Sequence, residues 1–206
     1  MTLYAYRIMK ILDQNYRRWF QWLALPFISL AFHIYFGFRV IGRENIPKDG
    51  CIVCPNHIQA SDPPFAAVAL GNRYIIRLMA KKELFQKHYF GYLIAALGAF
   101  PIDREGIDIT AMKTAIRCAK DGNKLIIFPQ GTRNAAEGET KKGAAMLAVK
   151  TGAPIVPMYI SEEKKFRCGA RVVIGEPFLP EKGQKDYAVI ADEILRRIYA
   201  LKEKIS

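Results

Sequence analysis

Apolar residues fall along the chain in short runs set apart by polar stretches that contain Gly and Pro. From residue 38 onward six runs suit strands: 38–41, 51–54, 74–79, 124–128, 155–160 and 171–174. Between and after them the spacing becomes helical, most clearly over 109–119, 141–150 and 187–201. Strands alternating with helices predict an α/β fold over residues 39–206, with a largely parallel central sheet flanked by helices. In open sheets of this kind ligands meet the loops beyond the carboxyl ends of the strands, so those loops hold the candidate chemistry.

The N-terminus is patterned differently. The twenty positions between Arg18 and Arg39, WFQWLALPFISLAFHIYFGF, contain no Asp, Glu, Lys or Arg. That length just spans a hydrocarbon core of about 30 Å. No small-residue cleavage site follows, so the segment is expected to be retained. Ahead of it, Leu3, Tyr6, Ile8, Met9 and Leu12 are interspersed with Arg7, Lys10, Arg17 and Arg18, a pattern that permits a basic amphipathic helix. Arg39, Arg43 and Lys48 follow the apolar run, so the basic flanks give no orientation for a single span. Two helices that dip into one leaflet and return satisfy both flanks. Residues 1–38 are therefore predicted to be a two-helix, monotopic membrane-binding segment, with a single-pass helix and a buried core helix as the alternatives.

Composition narrows the class. The chain has 206 residues, 51% hydrophobic and 24% charged, which suits one folded domain and excludes disorder. Its 31 Lys and Arg against 19 Asp and Glu give a net charge of +12 and draw it to polyanions or anionic surfaces. With 12% aromatic residues and a mean hydropathy of +0.02 it is more apolar than a basic nucleic-acid binder usually is. A phospholipid membrane is the expected partner, and nucleic acid is not. Cys51, Cys54, Cys118 and Cys168 are too few and scattered for a disulfide scaffold, and they lack partners at ligand spacing, so core cysteines and no metal are expected.

Two loops stand out. After the 51–54 run comes Pro55-Asn56-His57-Ile58-Gln59-Ala60-Ser61-Asp62, and Pro63-Pro64 opens an Ala-rich helix. Asp before Pro reads as an N-cap. His57 and Asp62, five residues apart across a tight loop, also let the carboxylate meet one ring nitrogen and leave the other as a base. No Ser or Cys nucleophile is then required, because a bound alcohol supplies the attacking oxygen. The second loop, Pro129-Gln130-Gly131-Thr132-Arg133-Asn134, offers a Gly for close backbone approach, a hydroxyl and a planar guanidinium suited to a phosphate monoester. Two weaker blocks are Gly98-Ala99-Phe100-Pro101-Ile102-Asp103-Arg104 and Ala153-Pro154-Ile155-Val156-Pro157-Met158.

In order and spacing these four blocks resemble those of the glycerolipid acyltransferases: NHIQASD their N-H-x-x-x-x-D motif, FPIDRE the second, FPQGTRN the F-P-E-G-T-R block and APIVPMYI the fourth. The resemblance runs from about residue 51 to residue 175, and within the family the short chain with an apolar N-terminus is similar to bacterial members that acylate 1-acylglycerol 3-phosphate. It implies His57 as general base, Asp62 as its partner, Arg104, Gly131, Thr132 and Arg133 around the acceptor phosphate, and Asn56 and Gln130 in support. It implies acyl-CoA or acyl carrier protein as donor, lysophosphatidic acid as acceptor, no cofactor, and a place on the cytoplasmic face of the cell membrane. One position departs from the pattern: Gln130 stands where the family most often has Glu. A proton-carrying role there is excluded, and a positioning role survives.

Overall fold

The computed structural model describes residues 16–103, 108–130, 142–181 and 186–205. Seven strands form one sheet: β1 (Arg39–Ile41), β2 (Cys51–Pro55), β3 (Ile76–Lys81), β4 (Ala99–Ile102), β5 (Lys124–Ile126), β6 (Ile155–Ile160) and β7 (Arg171–Ile174), in the order β1-β7-β6-β2-β5-β3-β4. Every neighbouring pair is parallel except β6 and β7. The exception follows from chain length: ten residues join β6 to β7, fewer than the dozen or so that a parallel crossover needs. All five residues of β2 are buried, as expected of a central strand covered on both faces, and this is why it reads as an unbroken apolar run.

The helices are α1 (Arg18–Phe36), α2 (Asp62–Leu70), α3 (His88–Ala96), α4 (Ile109–Lys120), α5 (Lys142–Thr151) and α6 (Tyr187–Ala200). Alternating residues of each strand feed two cores. On one face Val53, Ile126 and Val172 pack with Leu25 of α1 and with Phe65, Val68 and Ala69 of α2. On the other, Ile52, Leu125 and Val173 pack with Ala115 of α4, Leu147 of α5, and Ile190 and Ile194 of α6. The amphipathic α4 starts where Asp108 accepts hydrogen bonds from the amides of Thr110 and Ala111 at 3.1 and 2.9 Å. Cys51, Cys54 and Cys118 are buried free thiols, and burial pushes the Cys51 thiol up to about 11.

Among the described residues the N-terminus supplies one long apolar helix, α1, rather than the two predicted; the earlier amphipathic stretch lies outside them. Nineteen residues make α1 about 28 Å long. It ends at Gly37, whose φ of +64° is a left-handed conformation that favours glycine and lets its amide reach the His33 carbonyl. Only Gln21 and Leu25 are buried, so the buried-core-helix alternative does not describe it. Trp19 and Trp22 are each 61% exposed and Phe27 67%, with Leu30 and Ile34 beside them. The inward side is firmly tied. Gln21 donates to the carbonyls of Ile76 and Leu97 at 2.9 and 2.7 Å, and Phe32 stacks on Phe65 of α2 with ring centroids 4.4 Å apart.

Candidate active site

β2 and β5 are neighbours in register, and Ile127 extends the pairing by donating to the Val53 carbonyl at 2.9 Å. Beyond their carboxyl ends the chain parts: β2 leads into α2 on one face of the sheet, and the chain beyond β5 returns through α5 on the other. Strand ends from which the chain diverges to opposite faces are the usual ligand position in a doubly wound sheet. His57 follows β2 and Gln130 follows β5 at this divergence.

The His57 Nδ1 atom lies 3.0 Å from Asp62 Oδ2. The same oxygen accepts from the amides of Ile58 and Gln59, both at 2.7 Å, and Oδ1 accepts from the Lys164 ammonium at 2.6 Å. Asp62 is 1% exposed. Burial alone would raise its pKa, but the hydrogen bonds from His57, Lys164 and the Gln59 amide outweigh that, and the carboxyl is held below the usual 3.8. An ionised carboxylate only accepts, so the shared proton belongs to Nδ1, and in the neutral ring the lone pair is on Nε2. The His57 side chain, 15% exposed, packs its ring 4.4 Å from that of Phe128.

The N-cap reading of Asp62 is corrected. Asp62 is the first residue of α2, Ser61 precedes it at the cap, and the carboxylate turns back to the loop amides of Ile58 and Gln59 instead of capping its own helix. The pattern S-D-P-P suited both readings; what decided it is the loop, whose unpaired amides face the same oxygen as the imidazole.

Asn56, 1% exposed, donates to the Ile160 carbonyl at 3.0 Å and accepts from the Ile160 amide at 2.7 Å. It therefore sutures the end of β2 to the end of β6 and fixes where the His57 loop departs. Gln130 accepts from the His57 amide at 2.8 Å and donates to the Tyr199 hydroxyl at 2.7 Å. Gln130 thus bridges the His57 backbone to α6. Gln130→Glu keeps an acceptor for that amide, and the Tyr199 hydroxyl can turn to donate, so turnover within about tenfold of wild type is expected. Gln130→Leu breaks both bonds and should fall below the Glu variant in the same steady-state assay.

Lys164 was not visible to sequence reasoning. Its side chain is 3% exposed and its ammonium pairs with a carboxylate 102 residues away in the chain. In sequence it belongs to SEEKKFR, which reads as a solvated charged link. The antiparallel return from β6 to β7 folds that link over the His57 loop, where Gln59 Nε2 also donates to the Glu162 carbonyl at 2.9 Å. The remaining expected site residues, Arg104, Gly131, Thr132 and Arg133, lie outside the described residues.

The fold is a doubly wound α/β sheet with a His57–Asp62 pair in the loop after β2, its carboxylate buried. The family model described as Acyltransferase matches residues 37–161, more than half of the chain. The 1-acyl-sn-glycerol-3-phosphate acyltransferase of Bacillus subtilis is 34% identical over 182 residues, 82% of this chain and 90% of that one. That of Streptococcus pneumoniae is 41% identical over 118 residues, 56% of this chain and 44% of that one. The crystal structure of the 1-acyl-sn-glycerophosphate (LPA) acyltransferase PlsC from Thermotoga maritima superposes with a TM-score of 0.65 at 25% identity, covering 97% of this chain and 80% of that one. The chain belongs to this acyltransferase family and is an acyltransferase.

Proposed function

We propose that the protein transfers a fatty acyl group from a thioester, acyl-CoA or acyl carrier protein, to the free hydroxyl of 1-acylglycerol 3-phosphate, forming phosphatidic acid. The observation that carries the reading is the His57–Asp62 pair in the loop after β2, with Nδ1 held by the carboxylate at 3.0 Å. Nε2 takes the hydroxyl proton as the oxygen attacks the thioester carbonyl. Asp62 stabilises the imidazolium that forms, the carbon–sulfur bond breaks, and the proton passes to the departing thiolate. Atoms and charge balance without a cofactor. A non-catalytic basic module has no use for a buried carboxylate aimed at a histidine, and the names of the B. subtilis and S. pneumoniae relatives support the acceptor.

Arg104, Gly131, Thr132 and Arg133 surround the acceptor phosphate in this reading. Arg133→Lys replaces a bidentate fork by a point charge and is expected to raise KM for lysophosphatidic acid far more than for the thioester. Equal effects on both substrates would make the arginine structural. The acceptor is tested by offering lysophosphatidic acid, glycerol 3-phosphate and a lyso-aminolipid in parallel with acyl-CoA. Phosphatidic acid should be the dominant product, and preferential acylation of either rival would replace the acceptor while keeping the chemistry.

The lipid acceptor is met at the cytoplasmic face of a membrane, with residues 1–38 as a monotopic anchor. The outward side of α1 carries Trp19, Trp22, Phe27, Leu30 and Ile34, an apolar stripe of the kind that enters a leaflet. Removing the whole helix would also remove Gln21 from the Ile76 and Leu97 carbonyls, so surface substitutions are the sharper test. Trp22→Ser, Phe27→Ser and Ile34→Ser together should weaken flotation with anionic vesicles by more than about tenfold, since each side chain loses about 1.5 kcal/mol or more of burial. Undiminished flotation would take α1 out of the membrane contact.

A further inference from the structure

We propose that Lys164 is a positioning residue for acyl transfer, its ammonium fixing which oxygen of Asp62 faces His57 and sharing the carboxylate's negative charge with the imidazole. The inference rests on the acyl-transfer reading of the His57–Asp62 pair. A lysine is almost never fully buried unless it is paired, and a flexible stem beside a surface loop would ordinarily carry the ammonium into water. Here the side chain is 3% exposed and its nitrogen sits 2.6 Å from Asp62 Oδ1 and 5.5 Å from the centroid of the Phe65 ring. Phe65 is on the helix that Asp62 opens, so the lysine lies along α2 and meets the carboxylate oxygen that His57 does not.

The two oxygens of Asp62 are thereby made unequal. Oδ2 receives His57 and the amides of Ile58 and Gln59, while Oδ1 receives Lys164. Without the lysine, Oδ1 is a buried charged oxygen with no donor among the described residues, and the carboxylate can turn to find one. The link that bears Lys164 is itself held. Gln59 donates to the Glu162 carbonyl, and the Glu162 carboxylate accepts from the Tyr159 hydroxyl at 3.1 Å and from Lys202 at 2.9 Å.

Charge is the second consequence. Asp62 on α2 pairs with His57, and Lys164 on the link between β6 and β7 pairs with the other oxygen of the same carboxylate. From the end of β5 the ring sees Phe128 and its backbone sees Gln130, both neutral. A carboxylate paired with an ammonium presents the imidazole with less net negative charge than a lone carboxylate does. Loss of the ammonium therefore favours the imidazolium, and the free base survives only at higher pH.

The test uses the full chain on vesicles of phosphatidylglycerol and phosphatidylcholine that carry lysophosphatidic acid, with acyl-CoA as donor and thiol release as the readout. Wild type and variants are compared by kcat and by kcat/KM across pH 5 to 9. Lys164→Met is expected to move the acid limb of kcat/KM up by about one pH unit and to lower the plateau kcat by about 10–100-fold, with KM for both substrates little changed. Lys164→Arg keeps the charge and should leave the limb where wild type has it. If near-ultraviolet circular dichroism shows that Lys164→Met does not fold, Lys164→Gln, which keeps a donor without the charge, is read on the same limb. An unmoved limb in the uncharged variant, or a limb that moves as far in Lys164→Arg, overturns the proposal and leaves Lys164 as a structural pair. Absence of thiol release by wild type would instead overturn the acyl-transfer reading itself.

Discussion

Replacing His57 with alanine is expected to lower turnover by about 10²–10⁴-fold with KM for either substrate little changed, the usual effect of removing an acid–base group that acts only in the transition state. The size follows from how completely the site commits to this ring. Its backbone amide is held by Gln130 at 2.8 Å, its Nδ1 by Asp62 at 3.0 Å and its face by Phe128, so the ring is fixed in one orientation. Alanine leaves these supports in place, and folding should survive. A variant that keeps a tenth of wild-type turnover would remove His57 from proton transfer.

Asp62→Asn should cost both activity and stability. The amide oxygen belongs in the place of Oδ2, where three donors converge, which turns the amide nitrogen toward the Lys164 ammonium, donor against donor. The imidazolium also loses its counter-charge. Turnover is expected to fall by about 10²-fold or more, and stability by about 3 kcal/mol, because one partner of a buried pair is left alone. The pH dependence has a definite sign. The folded pKa of Asp62 is depressed, so its ionised form contributes stability that is complete above the ordinary 3.8 and is lost as pH falls through the depressed value. The stability gap between wild type and Asp62→Asn, measured by denaturant unfolding, should therefore shrink as pH drops below 3.8. A gap that is constant or growing toward acid would contradict the ionised pair.

Much of this site is legible in the sequence because its chemistry is local. His57 and Asp62 share one loop, and the strand before it is an apolar run that two-sided burial requires. The six strand runs and the helices at 109–120, 142–151 and 187–200 appear within a residue or two of where periodicity puts them. α3 escaped notice because HYFGYLIAA is apolar nearly all round and interrupted by Gly91, so no face stands out. The antiparallel β7 was legible in principle from its ten-residue link, yet alternation alone argued for a parallel sheet. Lys164 was out of reach for a deeper reason. Its partner is distant in the chain, and only the fold of that link decides whether the ammonium meets water or Asp62. The Asp62 N-cap failed on a similar point, since a carboxylate at a helix start chooses among several amides, and which ones are unpaired is a property of the loop.

The central claim is direct attack by a bound hydroxyl, with His57 as base and no acylated protein on the way. Single-turnover mixing of the purified protein with acyl-CoA tests it most directly, first without acceptor and then with lysophosphatidic acid, following thiol release and acyl products together. The account predicts no thiol burst without acceptor, and thiol and phosphatidic acid in equal amounts once acceptor is present. A stoichiometric burst without acceptor, leaving the acyl group on the protein, would contradict it.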